Sequence, residues 1–80
     1  MTPAMQTPTV GRVVHVSVDP SENNGQDYAP GIITRVWGDE MVNVSVLLDS
    51  PTGPIQKTSV KLYAERPDGP RHTAWWPPRA

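Results

Sequence analysis

Ten prolines in 80 residues constrain this chain more than any other feature of its sequence. Each proline lacks a backbone N–H donor and disrupts the interior of a helix. The longest stretch without proline, residues 31–50, is rich in β-branched side chains, which pack well on a pleated surface. No segment has the apolar periodicity of an amphipathic helix. We therefore expect an all-β domain.

Alternation of apolar and polar residues predicts the strands of this domain. The predicted strands cover residues 10–18, 32–37, 41–48, 55–63 and 72–76. Most of them carry one apolar stripe and one polar stripe, so each needs a second layer to cover its apolar face. A sheet that closes on itself supplies that layer from its own strands.

Five short antiparallel strands and a long first loop, residues 19–27, predict a small five-stranded SH3-like barrel. A barrel of the oligonucleotide/oligosaccharide-binding type is the alternative. A domain of this size buries only about 60% of the surface of its unfolded chain, so we expect a homo-oligomer. Residues 1–9 are predicted to form an extended N-terminal arm, and residues 10–80 the single barrel domain.

Composition excludes several classes of protein. The chain has no cysteine, which excludes disulfides and thiol chemistry. No apolar run approaches the ~20 residues of a membrane span, and residues 1–9 do not resemble a signal peptide. A net charge of -1 argues against general nucleic-acid binding. We therefore expect partners other than membranes or bulk nucleic acid.

Neither a catalytic site nor a metal site is predicted. His15 and His72 are far apart in sequence, and the acidic residues Asp19, Glu22 and Asp27 are expected to be solvated in the long loop. The chain lacks both a Gly-x-Ser-x-Gly nucleophile motif and a glycine-rich phosphate-binding loop. We therefore expect a binding protein without a cofactor rather than an enzyme.

One candidate ligand site lies on the second predicted strand. Arg35 and Trp37 are two residues apart, so they would share a face with Ile33. Tyr28, at the end of the long loop, is predicted to lean over them. Such a surface beside a loop suits ligand binding. Alternatively, Trp37 covers an edge of the core and the aliphatic part of Arg35 lies across it.

The second candidate segment contains Arg71, His72, Trp75 and Trp76 and no acidic residue between them. Adjacent tryptophans on a strand face opposite ways, so one is expected in the core and the other on the surface or in an interface. An exposed indole beside an arginine can bind a planar anionic ligand, because the indole stacks on the plane of the ligand and the guanidinium pairs with its phosphate. The alternative is that both rings close the barrel and a dimer interface.

The order of four segments resembles a widespread family of small uncharacterised proteins of tailed bacteriophages. The segments are residues 29–38, 42–46, 58–60 and 73–79. Members of that family have a Pro-Ala-Ile-Val-Thr-x-Val-Trp strand, a Val-Asn-Leu-x-Val strand, a Ser-Val strand and a Thr-Trp-His-Trp-Pro end. The resemblance extends over about residues 10–79. Here the first Trp and the His of the family's terminal motif are replaced by Ala74 and Trp75.

This resemblance implies a phage or prophage origin and leaves the function open. One possibility is a counter-defence protein in the host cytoplasm that sequesters a nucleotide signal of host immunity. The alternative is a virion component, such as a capsid decoration or head–tail accessory protein, whose partner is a capsid protein. The absence of an evident catalytic site and the Trp and Arg residues named above favour sequestration. A third reading, a peptide-binding adaptor, is weakened by an aromatic content of only 6%.

Overall fold

The computed structural model describes residues 6–51, 53–69 and 72–78, which form a closed five-stranded β-barrel. Within the predicted N-terminal arm, residues 1–5 lie outside the described residues. Pro8 is buried, and Gln6 Oε1 accepts a hydrogen bond of 2.7 Å from Arg12. The strands are β1 Val13–Ser17, β2 Tyr28–Gly38, β3 Met41–Val46, β4 Ile55–Tyr63 and β5 Thr73–Trp75.

The strands are arranged around the barrel in chain order, and β5 returns to pair with β1. Four of the five neighbouring pairs are antiparallel, whereas β4 and β5 run parallel. A closed ring with an odd number of strands cannot alternate in direction throughout, so at least one pair must be parallel. The expectation of five antiparallel strands is therefore wrong at this pair, although the five-stranded barrel is confirmed.

The barrel interior consists mainly of valine. The predicted apolar faces of the first, third and fourth strands are confirmed within β1, β3 and β4, whose inward valines and Leu62 are buried. Val18 and Leu48, predicted on the same faces, are half-buried against this core. Trp76, just after β5, completes this core. The buried core residues are Val14, Val16, Ala29, Ile33, Val42, Val44, Val46, Val60, Leu62, Ala74 and Trp76.

A β-bulge in β2 changes which residues face outward. The register with β3 shifts between Ile33 and Arg35. Ile33 is fully buried, whereas Arg35 and Trp37 are exposed and Val36 between them is half-buried against the core. The expectation that Ile33 shares a face with Arg35 and Trp37 is therefore wrong, because the extra residue of a bulge reverses the alternation.

The long first loop is anchored by one buried side chain, Asn23. Its Nδ2 donates hydrogen bonds to the carbonyl oxygens of Gln26 and Tyr28, at 3.1 and 2.9 Å. Its Oδ1 accepts a hydrogen bond of 2.7 Å from the backbone N–H of Asp49. The acidic residues of the loop are exposed, as expected, but Asn23 ties the loop to the segment that follows β3.

Close packing of β1 on β2 depends on the absence of a side chain at Gly31. A Cβ at this position would lie 2.7 Å from Cγ2 of Val16. We expect Gly31→Ala to lower the free energy of unfolding by about 1–3 kcal/mol, because a packed core yields little to an extra methyl group. Gly38→Ala is the control, because its Cβ would meet nothing within 4 Å. Thermal unfolding measures both, and equal melting temperatures would contradict this packing.

Candidate functional site

Trp37 is the most exposed aromatic side chain among the described residues, at 55% exposure. Its indole Nε1 donates a hydrogen bond of 2.8 Å to Oδ1 of Asn43 on β3. This bond satisfies the indole N–H and favours one orientation of the exposed ring. A fixed, exposed indole suits a ligand contact, because little rotamer entropy is lost on binding.

Asn43, on β3, links side chain and backbone groups of β2 and β4 through its single oxygen atom, Oδ1. Its Oδ1 accepts a second hydrogen bond, also of 2.8 Å, from the backbone N–H of Ser59. Because both bonds need the oxygen, the amide cannot flip without losing them. Its Nδ2 donors therefore face away from these partners, and none of the residues in the described ranges accepts from them.

The guanidinium of Arg35 lies over the indole of Trp37, with 4.2 Å between its Cζ and the ring centroid. This cation–π contact holds a permanent positive charge next to the exposed ring. The structure thus confirms that Arg35 and Trp37 are neighbours on one surface. The reading in which Trp37 covers a core edge is not supported, since more than half of the side chain meets solvent.

His72 joins the same surface through strained backbone. Its Nε2 lies 3.0 Å from the carbonyl oxygen of Thr58, which can only accept, so Nε2 carries the hydrogen. Ser59 and His72 have φ angles of 54° and 60°, in the left-handed region that non-glycine residues rarely adopt. Strain of this kind clusters at functional sites. We name the connected set of Arg35, Trp37, Asn43, Ser59 and His72 the Trp37 site.

Tyr28 and Trp75 belong to a different cluster. Their ring centroids are 6.0 Å apart, and His15 lies 5.0 Å from Tyr28 and 6.0 Å from Trp75. The guanidinium of Arg66 lies over both rings, at 4.8 Å from Trp75 and 5.4 Å from Tyr28. Arg66 also forms an ion pair of 2.8 Å with Asp27. Trp75 is only 4% exposed beneath this cover.

These positions correct two expectations. Tyr28 does not lean over Arg35, because the two residues lie seven positions apart along β2, a span of roughly 20 Å at the usual rise per residue. Trp75 does not offer an open stacking surface. The connection between β4 and β5 places Arg66 over it, so its ring is used within the fold.

Trp76 is the tryptophan that enters the core, as expected for one of the pair. It is 3% exposed and packs among the buried valines, with Arg12 positioned 4.8 Å from its ring centroid. Its assignment as a ligand-binding residue is therefore wrong. Arg71, the remaining candidate, lies outside the described residues.

Sequence reasoning missed Asn43 and Ser59, which fix the site. The available signal was an asparagine in the middle of a strand of valines, a residue type that is depleted in strands. The sequence carries no comparable signal for the bulge in β4 that brings Ser59 next to Asn43, because serine is common on the polar face of a strand.

Comparisons with protein-family models, curated proteins and solved structures give no match to this chain. Among residues 6–51, 53–69 and 72–78, no group of three or more His, Cys, Asp or Glu side chains is arranged to hold a metal ion. The same part of the chain contains no helix of the length and apolarity that a membrane crossing requires.

The aromatic cluster predicts a pH dependence of stability. Burial, and next the positive charge of Arg66, lower the pKa of His15 below its ordinary value of 6.5. The unfolded chain therefore binds this proton more tightly than the folded barrel, so the free energy of unfolding falls as the pH drops through 6.5 and levels off below the folded-state pKa.

Urea unfolding of the wild type and of His15→Gln, at about pH 8 and about pH 5, measures this effect. We expect the substitution to reduce the loss of stability on acidification. An unchanged pH dependence in His15→Gln would contradict the assignment.

Proposed function

We propose that this chain is a non-catalytic binding protein that holds a nucleotide-like ligand at the Trp37 site. The observation that carries the proposal is the exposed indole of Trp37, fixed by Asn43 and accompanied by the guanidinium of Arg35. An aromatic plane and a permanent cation are the two groups that a base and a phosphate require.

Each group of the site has a role in this proposal. The base stacks on the exposed part of the Trp37 ring. Arg35 keeps its N–H donors at the edge of its guanidinium, where they can pair with a phosphate while the plane stays against the indole. Nδ2 of Asn43, held in place by the two bonds to its oxygen, donates to an acceptor atom on the base.

Sequestration fits these residues better than catalysis. His72 donates through Nε2 to the Thr58 carbonyl, so this nitrogen is not available to activate the hydroxyl of Ser59. None of the side chains that define the site is a carboxylate. With the phage resemblance of the sequence, these features support a counter-defence protein that binds a nucleotide immune signal in the host cytoplasm without changing it.

Thermal shift with a panel of cyclic dinucleotides, cyclic trinucleotides and ADP-ribose derivatives tests the proposal. A ligand at a hundredfold excess over its dissociation constant stabilises the fold by about 2.7 kcal/mol, which raises the melting temperature of a domain this small by several degrees. We expect at least one member of the panel to give such a shift.

Two substitutions locate the ligand. Trp37→Ala and Arg35→Ala should each abolish the shift without unfolding the barrel, since both side chains are exposed. Arg66→Ala is the control, because it removes a guanidinium that is also stacked on aromatic rings but lies in the other cluster. No shift with any member of the panel, or equal loss in all three variants, would contradict a nucleotide site at Trp37.

A second candidate function, assembly into a homo-oligomer or a virion, is favoured by a separate apolar surface. Val13 pairs with Ile32 across β1 and β2, and the backbone N–H of Leu47 bonds to the carbonyl of Pro30. Val13, Ile32 and Leu47 are thus exposed apolar residues on one part of the outer surface. We name these three residues the β1–β3 patch.

We propose that a second copy of the chain binds to the β1–β3 patch. None of its three side chains is charged, and the net charge of -1 gives two copies little reason to repel each other. A structural protein of the phage head would use the same kind of surface, so the patch also supports the virion alternative.

Light scattering coupled to size-exclusion chromatography tests self-association. We expect the wild type to elute as an oligomer and Ile32→Lys to shift it toward the monomer, because a charge in the centre of the contact would be desolvated. Gln26→Lys introduces the same charge on the exposed first loop and should leave the mass unchanged. A monomeric wild type would rule out the second copy.

A further inference from the structure

The side-chain amide of Asn43 lies at the edge of the exposed indole of Trp37. The two groups are bonded directly, with 2.8 Å between Oδ1 of Asn43 and Nε1 of Trp37. A base that stacks on the exposed part of the indole therefore brings its own polar edge toward this amide. The hydrogen bonds that the amide can still form decide which base fits.

The oxygen of this amide is fully used within the fold. Oδ1 accepts from Nε1 of Trp37 and from the backbone N–H of Ser59, both at 2.8 Å, and a carbonyl oxygen has two lone pairs. Nδ2 has no hydrogen-bond partner among the described residues, and it is not one of their buried unpaired atoms, so it reaches solvent. Asn43 therefore presents donors and no free acceptor to a ligand.

This arrangement excludes the usual pairing of asparagine with adenine. In that pairing the amide oxygen accepts from the N6 amino group of adenine, while the amide nitrogen donates to N7. Because Oδ1 of Asn43 is occupied, the N6 amino group would face N–H donors instead of an acceptor. Guanine presents two acceptors, N7 and O6, on the same edge, and either can accept from Nδ2.

The other groups of the site do not restore a preference for adenine. The guanidinium of Arg35, over the ring of Trp37, has donors only. The hydroxyl of Ser59 can donate or accept, so it fits both bases. Nδ1 of His72 can accept, but this ring is bonded to the backbone of β4 and not to the indole. Uracil also has keto oxygens, but a purine offers the indole more area for stacking.

We propose that the Trp37 site prefers a guanine base and that Asn43 determines this specificity through its Nδ2 donors. The inference rests on the proposed nucleotide site and names the base that this site takes. The same donors fit any purine with a keto group at C6. Hypoxanthine should therefore replace guanine, whereas adenine should not.

Titration of the ¹⁵N-labelled chain with GMP, IMP and AMP, followed at the indole N–H signal of Trp37, tests the preference. These probes share their ribose and phosphate, so only the base differs. We expect GMP and IMP to have similar dissociation constants and AMP to bind roughly tenfold more weakly, because one hydrogen bond is lost and two donors face each other.

The possible failures of this titration are distinct. AMP binding as tightly as GMP would overturn the base preference and leave the nucleotide site in place. No response to any of the probes would overturn the inference, and the thermal-shift panel would then decide the nucleotide site separately. The wild-type constants give this answer without any variant.

Asn43→Asp exchanges the donor for an acceptor. Its carboxylate keeps an oxygen for Trp37 and Ser59 and has a second oxygen that accepts from N6 of adenine. The added charge repels the phosphate of both nucleotides, so the readout is the ratio of the GMP and AMP dissociation constants. We expect this ratio to shift toward AMP by roughly tenfold.

Gln26→Glu makes the same exchange of amide for carboxylate on the exposed first loop. It is the control and should leave the ratio as in the wild type. An unchanged ratio in a folded Asn43→Asp would overturn the role of Asn43.

Discussion

Closure of a five-stranded ring is the constraint on which the rest of this structure depends. Because five strands cannot alternate in direction around a closed barrel, β5 must run parallel to one of its neighbours, and here that neighbour is β4. The chain therefore has to return along the barrel after Tyr63. The returning segment places Arg66 over Trp75 and Tyr28, and His72 contacts the backbone of β4.

A second consequence is the separation of two groups of cations and aromatic rings. In one group Arg66 covers Trp75, which is almost inaccessible, and the contact stabilises the returning segment. In the other, Arg35 lies against Trp37, which stays exposed although its N–H is bonded. The same pair of residue types thus serves the fold in one place and is available to a ligand in the other. The difference lies in whether a further segment of chain passes over the ring.

The sequence predicts much of the barrel because valine alternation reports directly on burial. The bounds of β4 agree with the prediction, and the inward residues of β1 and β3 follow from period two. The pattern does not reveal bulges, so it placed Ile33, which is buried, on the same face as the exposed Arg35 and Trp37. The burial of Trp75 and the role of Asn43 depend on contacts between residues far apart in sequence, which alternation within one strand does not report.

We propose that Trp37 is an exposed ring held in place for a ligand by its bond to Asn43. The ¹⁵N relaxation order parameter of its indole Nε1–H bond tests this most directly. If the bond to Asn43 holds the ring, the order parameter of the free protein should approach about 0.85, the value of rigid backbone, and should fall in Asn43→Ala. A value below about 0.6 in the wild type would contradict the account, because the indole would then move as freely as an unsupported surface side chain.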